Sequence, residues 1–296
     1  MQKFRIFAFG SNLHQEDLER WFRQHRLPPP RIEQLRPAWC PDHEPVYHLY
    51  AAGRAGGVLD IRAADRGQLA PGGLFETDSE TLRGLDRKEG TPFVYECRTV
   101  TVLTADGEEH EALTYQVHPR RQQARHIAPD GYYRTIVKLG LEELGHDATP
   151  MEQAAEGQPV TPSVTGLFVY GTLKTGECRE HALAAYADGA RQPAQIPGRL
   201  VHLGSYPGLL PPTRPEEQVH GEYVPLSQLP AALTVADEIE DFVAYGFPGN
   251  LYARRLVTTR LADGATRLAW TYYYLGDTSQ ALRVDGGRWS ADSYGT

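Results

Sequence analysis

Apolar and polar positions along this chain change period many times within short windows, which predicts many short strands and few long helices. The apolar run over residues 3–10 reads as a buried strand, and residues 15–24 interleave polar and apolar positions as an amphipathic helix does. Pro28-Pro29-Pro30 then breaks the chain. Short strands follow at 45–50, 57–61 and 73–76 between Gly-rich turns, and residues 80–86 read as a helix capped by Asp78 or Ser79. Residues 93–103 and 111–117 read as a hairpin closed through Ala105-Asp106-Gly107, and 127–144 as a terminal helical segment. Pro150, Gly157, Pro159 and Pro162, set among small polar residues, mark 148–165 as a linker.

After the linker the order restarts. A strand at 167–170 leads to a helix around 179–188, a strand at 198–203 and a turn at Tyr206-Pro207-Gly208. A strand at 219–224, a helix at 229–240 and a hairpin of 252–261 with 267–274 complete it. The second hairpin turn, Ala262-Asp263-Gly264, repeats the tripeptide type of the first, and the tail 291–296 is expected to fray. Two domains are therefore expected, over 1–147 and 166–296.

The restart extends to chemistry-bearing residues. Phe9-Gly10-Ser11-Asn12-Leu13 and Tyr170-Gly171-Thr172-Leu173-Lys174 are each an apolar strand that breaks at Gly followed by a hydroxyl residue. Each is answered downstream by an acidic cassette, Leu85-Asp86-Arg87-Lys88-Glu89-Gly90 in the first half and Ala236-Asp237-Glu238-Ile239-Glu240-Asp241 in the second. Successive backbone N–H groups in such a loop suit an anion, and a single carboxylate suits proton transfer. Taken alone, a Gly-Ser-Asn is an ordinary turn and an Asp-x-x-Glu an ordinary solvated pair. The duplication in the same order is what gives them weight.

Composition narrows the class. At 296 residues the chain suits two domains of ordinary size, and 41% hydrophobic with 23% charged residues describes a globular protein. A net charge of −8 argues against a nucleic-acid binder, and the basic stretch from Arg120 to His126 reads as a solvated face. Cys40, Cys97 and Cys178 lie too far apart for a zinc motif or a disulfide framework. His43 and His48 flank Glu44-Pro45, where proline argues against helical ligand spacing, so no metal is expected. Gly53-Arg54-Ala55-Gly56-Gly57 lacks the Gly-Lys-Ser/Thr of a phosphate loop. Strand-like sequence from residue 3 and the lack of a long apolar run lead to an expectation of a cytoplasmic protein without a signal peptide or membrane span.

These residues resemble the gamma-glutamylcyclotransferase family. Phe9-Gly10-Ser11-Asn12-Leu13 is similar to that family's Tyr-Gly-Ser-Asn-Leu loop, with Phe in place of Tyr. Leu85 to Gly90 resembles the segment carrying its catalytic Glu, and Pro129-Asp130-Gly131-Tyr132-Tyr133 with 140–145 its terminal helix. The second half resembles the gamma-glutamylamine cyclotransferase branch, through 169–174, Tyr206-Pro207-Gly208, His220-Gly221-Glu222-Tyr223, Asp237, Glu240, Tyr252 and Arg254. The resemblance implies an α+β fold of two tandem domains, each a small mixed β-barrel flanked by short helices.

It further implies release of 5-oxoproline from a gamma-glutamyl compound. The substrate's own α-amine attacks its γ-carbonyl, so no protein nucleophile, metal or cofactor is required. Glu89 and Glu240 are the expected acid–base groups. The loops Phe9-Gly10-Ser11-Asn12-Leu13 and Tyr170-Gly171-Thr172-Leu173-Lys174 are expected to hold the substrate, with Tyr95 or Tyr115 and Tyr252 or Tyr272 as pocket donors. The only partner expected is this small molecule, with no nucleic acid and no membrane. Phe9 and Asp241 depart from the family pattern, and Asp241 would raise the pKa of Glu240 if both face one pocket. Two alternatives stay open: a ligand-binding protein on the same fold, or one active domain beside one structural domain. The oligomeric state is not legible.

Overall fold

A computed structural model describes residues 2–293. Two compact units divide at Ser163 and Val164, with Thr104–Glu108 counted with the second. Within the first, β1 (Lys3–Ala8) is followed by α1 (Gln15–Gln24), β2 (Glu33–Pro41), β3 (His43–Ala51), β4 (Gly56–Ala63) and β5 (Leu69–Asp78). Next come α2 (Ser79–Glu89), β6 (Tyr95–Leu103), β7 (Glu109–Val117), α3 (Gly131–Glu143) and α4 (Thr149–Ala155). The second holds β8 (Gly166–Val169), β9 (Gln192–Pro197), β10 (Arg199–His202), β11 (Pro207–Leu210) and β12 (Gln218–Pro225). It ends with α5 (Leu229–Ile239), β13 (Tyr252–Leu261), β14 (Thr266–Tyr274) and β15 (Leu282–Arg283).

Each unit contains a closed five-stranded barrel, ordered β1-β5-β2-β6-β7 in the first and β8-β12-β9-β13-β14 in the second. The two orders superimpose strand for strand. Each barrel closes through one parallel junction between its first and last strands, at Ile6 opposite Leu113 and at Leu167 opposite Trp270. A buried threonine seals each seam: Thr114 Oγ1 donates to the Phe7 carbonyl at 2.8 Å and Thr271 Oγ1 to the Phe168 carbonyl at 3.0 Å. Beside the seam, a Cβ on Gly72 would lie 2.3 Å from the Ala8 carbonyl, and one on Gly221 2.2 Å from the Val169 carbonyl. Only glycine lets the strands approach that closely.

Several elements differ from expectation, each for a local reason. β2 and β9 carry Pro37 and Pro41, and Pro193 and Pro197, which read as breakers in the sequence. Barrel strands with sparse ladders tolerate them, since β2 meets β6 only at Trp39 and β9 meets β13 at two positions. The expected helix at 179–188 is a single 3-10 turn, Glu180–Leu183. The helix expected over 127–144 starts at Gly131, where Asp130 accepts from the Tyr132 and Tyr133 amides. Part of the expected linker folds as α4, with Pro150 in its first turn and Met151, Ala154 and Ala155 in the core of the first unit. Tyr206-Pro207-Gly208 leads into β11 rather than forming only a turn. Of the tail, Ala291–Ser293 form a 3-10 turn, and residues 294–296 lie outside the described residues. Among the described residues no helix is long and apolar enough to cross a membrane.

Candidate functional site

In both units the first strand runs out into the Gly-hydroxyl loop at one end of the barrel, and the acidic cassette ends the helix that follows the second barrel strand. Asp78 starts α2 by accepting from the Thr81 amide at 2.9 Å. Glu89 is its last residue, and Gly90 closes it at φ +67°. In the second unit Glu240 is itself the C-cap that follows α5, and Asp241 after it takes the left-handed position at φ +48°.

One duplicated hydrogen bond aims each cassette at its barrel. Tyr115 donates to Asp86 Oδ1 at 2.8 Å, and Tyr272 donates to Asp237 Oδ1 at 2.7 Å. The aspartate stands three residues before the glutamate in both copies, so the bond fixes the helix end against the last strand. Tyr115 and Tyr272, expected as alternative pocket donors, direct their hydroxyl protons to these aspartates. Asp237 also accepts from Arg254 at 2.8 Å, with both side chains 1% exposed. The Arg254 guanidinium in turn lies over the rings of Phe242, Tyr245 and Trp270. This anchor escaped the sequence reading, although the dipeptide Thr-Tyr at 114–115 and 271–272 marks it in both halves.

The second unit encloses a cavity of about 120 Å³. Tyr170, Gly171, Thr172 and Leu173 line one side, and Glu240 and Tyr252 line another. Tyr170 donates to the Tyr272 carbonyl at 2.7 Å and Tyr252 to the Pro207 carbonyl at 2.8 Å. Burial and the nearby Glu240 push both phenols above their usual range. Burial also pushes the Glu240 carboxyl up to about 7; Arg179 opposes the shift and Asp241 adds to it. The like-charge effect expected from Asp241 is therefore present but secondary. Lys174 does not join the site: its ammonium donates to the Trp289 carbonyl at 2.5 Å.

The first unit offers a wider basin of about 560 Å³ and, behind the loop, a recess of about 40 Å³. Glu89, Ser11, Tyr95 and Tyr133 line both, while Phe9, Gly10 and Asn12 line the recess. Leu13 lines neither and packs beside Gly73 and Gly140. Burial, with the charge of Glu89 behind it, holds the Tyr95 phenol well above its usual range. Unlike Glu240, Glu89 is gripped from its own loop and helix: Asn12 Nδ2 donates to Oε1 at 2.9 Å and Lys88 Nζ lies 3.4 Å away. The turn carrying Gly53 and Arg54 lies at the basin, as a tight turn bringing backbone toward the pocket would, whereas Lys88 and Asp17 were not foreseen here. Asp17 accepts from Arg54 at 2.5 Å, and hydrogen bonds from Arg54 and Arg20 hold its carboxyl below the ordinary range against the cost of burial. His43 and His48, weighed as metal ligands, sit apart from both sites, bonded to the Pro41 carbonyl and to Asp60.

The family model described as "Gamma-glutamyl cyclotransferase, AIG2-like" matches this chain twice, over residues 6–135 and 167–291. The chain belongs to the gamma-glutamyl cyclotransferase, AIG2-like family. Both matches span a loop, its acidic cassette and its Tyr–Asp anchor, so the family domain occurs in tandem. Among solved structures, the chain is similar to a gamma-glutamyl cyclotransferase at 22% identity, covering 55% of this chain and 90% of that one, with a TM-score of 0.42. It is similar to YkqA from Bacillus subtilis at 14% identity, covering 93% and 85%, with a TM-score of 0.35. An AIG2-like protein from Mus musculus is 20% identical over 43% of this chain and 88% of its own, with a TM-score of 0.34. No curated protein sequence matches the chain.

Proposed function

We propose that this protein releases 5-oxoproline from gamma-glutamyl compounds, with Glu89 and Glu240 as the acid–base groups of two separate sites. The observation that carries the reading is the repeated placement of one carboxylate beside a Gly-hydroxyl loop, with the Glu240 carboxyl pushed up to about 7. A carboxyl with that pKa exchanges protons efficiently near neutral pH. In each site the glutamate takes a proton from the substrate's α-ammonium. The amine attacks the γ-carbonyl carbon, and the bond from that carbon to the departing nitrogen breaks as the glutamate returns the proton to that nitrogen. The second proton, shed by the new ring nitrogen, passes through the same carboxylate to the leaving amine, which departs as its ammonium. Both reacting groups belong to one molecule, so orientation supplies much of the acceleration. The backbone of Gly10-Ser11-Asn12 and Gly171-Thr172-Leu173 holds the α-carboxylate or polarises the γ-carbonyl.

The residues of the first domain favour the gamma-glutamylcyclotransferase branch and those of the second the gamma-glutamylamine branch. A second reading, one turning-over domain beside one binding domain, is favoured by the contrast between Glu89, held by Asn12 and Lys88, and Glu240. Incubation with gamma-glutamyl amines, dipeptides, isopeptides and glutathione, followed by mass spectrometry for 5-oxoproline, tests the reaction. Glu89→Gln and Glu240→Gln variants, made separately, apportion it between domains. No 5-oxoproline from any of these compounds contradicts the proposal.

A further inference from the structure

Lys88 adjoins the carboxylate of Glu89 in the first unit. Its side chain is 8% exposed, and its ammonium lies 2.7 Å from Asn12 Oδ1, 3.4 Å from Ser11 Oγ and 3.4 Å from Glu89 Oε1. Arg54 reaches the same Ser11 hydroxyl from the other side at 3.3 Å. Two cations thus converge on the loop residue beside Glu89, and Asp17 balances Arg54. When Glu89 takes up a proton, as its proposed role requires, the cluster is left with excess positive charge. The second unit has Ile239 at the position of Lys88, and the cation that acts on Glu240 is the exposed Arg179.

We infer that Lys88 is a substrate-binding residue of the first domain, holding the α-carboxylate of the gamma-glutamyl moiety over Ser11 while Glu89 faces the α-amine. The inference rests on the proposed role of Glu89. A zwitterionic α-carbon carries its carboxylate and its ammonium on one atom, so a cation and an anion side by side add to what the loop backbone supplies. Lys88 Nζ and Glu89 Oε1, 3.4 Å apart, form such a pair. On binding, the substrate replaces that internal contact with two charge-matched ones, while Asn12 and Ser11 keep the ammonium in place. Arg54 adds positive potential at the same point. In the second domain Ile239 stands where Lys88 does and the buried Arg254 is paired with Asp237, so the effect belongs to the first site.

The test uses the full chain carrying Glu240→Gln, with and without Lys88→Met or Lys88→Arg. The probes are gamma-glutamyl-alanine and the same compound with its glutamyl α-carboxylate converted to carboxamide. Binding is read by titration calorimetry and turnover by 5-oxoproline release. Loss of a charge-assisted contact predicts that Lys88→Met weakens binding of the carboxylate probe at one site by about tenfold to a hundredfold. The carboxamide probe binds weakly and equally to the parent and the Lys88→Met chain, and Lys88→Arg keeps part of the affinity for the carboxylate probe. Superimposable titrations of the carboxylate probe, or no binding to the parent chain, overturn the inference. Binding that depends on Lys88 without any 5-oxoproline upholds the inference and overturns only the catalytic role of Glu89.

Discussion

Glu240→Gln should stabilise the second domain at alkaline pH while removing its activity. Burial raises the Glu240 carboxyl from 4.5 to about 7 in the folded chain, so the folded state holds its proton more tightly than the unfolded state does. The sign follows from linkage: folding is favoured by this group below pH 4.5, and that advantage is lost as pH rises to about 7. At about 1.4 kcal/mol per pH unit, the full penalty above neutrality is roughly 3 kcal/mol. Glutamine keeps the shape of the protonated acid and does not titrate. Denaturant unfolding of parent and variant should give similar stabilities at pH 4.5. By pH 8.5 the variant should be the more stable, by up to about 3 kcal/mol. A difference that does not change with pH, or one favouring the parent at pH 8.5, refutes the assignment of a buried, proton-holding Glu240.

Other outcomes follow from the same geometry. The 5-oxoproline output of a Glu89→Gln chain should rise with pH through about 7 as Glu240 becomes a base, which a pH–rate profile reads directly. Asp241→Gly relieves a left-handed residue at φ +48° and removes a carboxylate beside Glu240. It should raise stability by about 1 kcal/mol and move that profile to lower pH. Asp237→Ala removes the carboxylate paired with the buried Arg254 and should cost about 3–5 kcal/mol, visible as early unfolding of the second domain. Tyr115→Phe removes the bond to Asp86; it should cost about 1–3 kcal/mol and lower first-domain turnover, with Glu240→Gln as the background for the assay.

How much of this was legible depends on how local each signal is. The loops at Gly10 and Gly171 and the glutamates at 89 and 240 are contiguous motifs that occur twice, so their pairing could be read from order alone. Asp78 as a helix cap and the two hairpins are equally local. β2, β9 and α4 were hidden because Pro37, Pro193 and Pro150 act as breakers only where the surrounding backbone needs their N–H group. The direction of a side chain was not legible at all. Lys174 follows its motif in sequence yet reaches the carbonyl of Trp289, 115 residues away. Tyr115 and Tyr272 sit on the expected strands, but their hydroxyls serve the aspartates three residues before each glutamate. Lys88 was overlooked because helical neighbours normally point apart; at the last turn of α2, both it and Glu89 reach Asn12.

The most direct test of the central claim compares the parent chain with the Glu89→Gln, Glu240→Gln double variant. Both are incubated with the same pool of gamma-glutamyl compounds, and 5-oxoproline is measured by mass spectrometry. The parent should release 5-oxoproline, and the folded double variant none above background. Equal release by both chains would contradict the assignment of these two carboxylates.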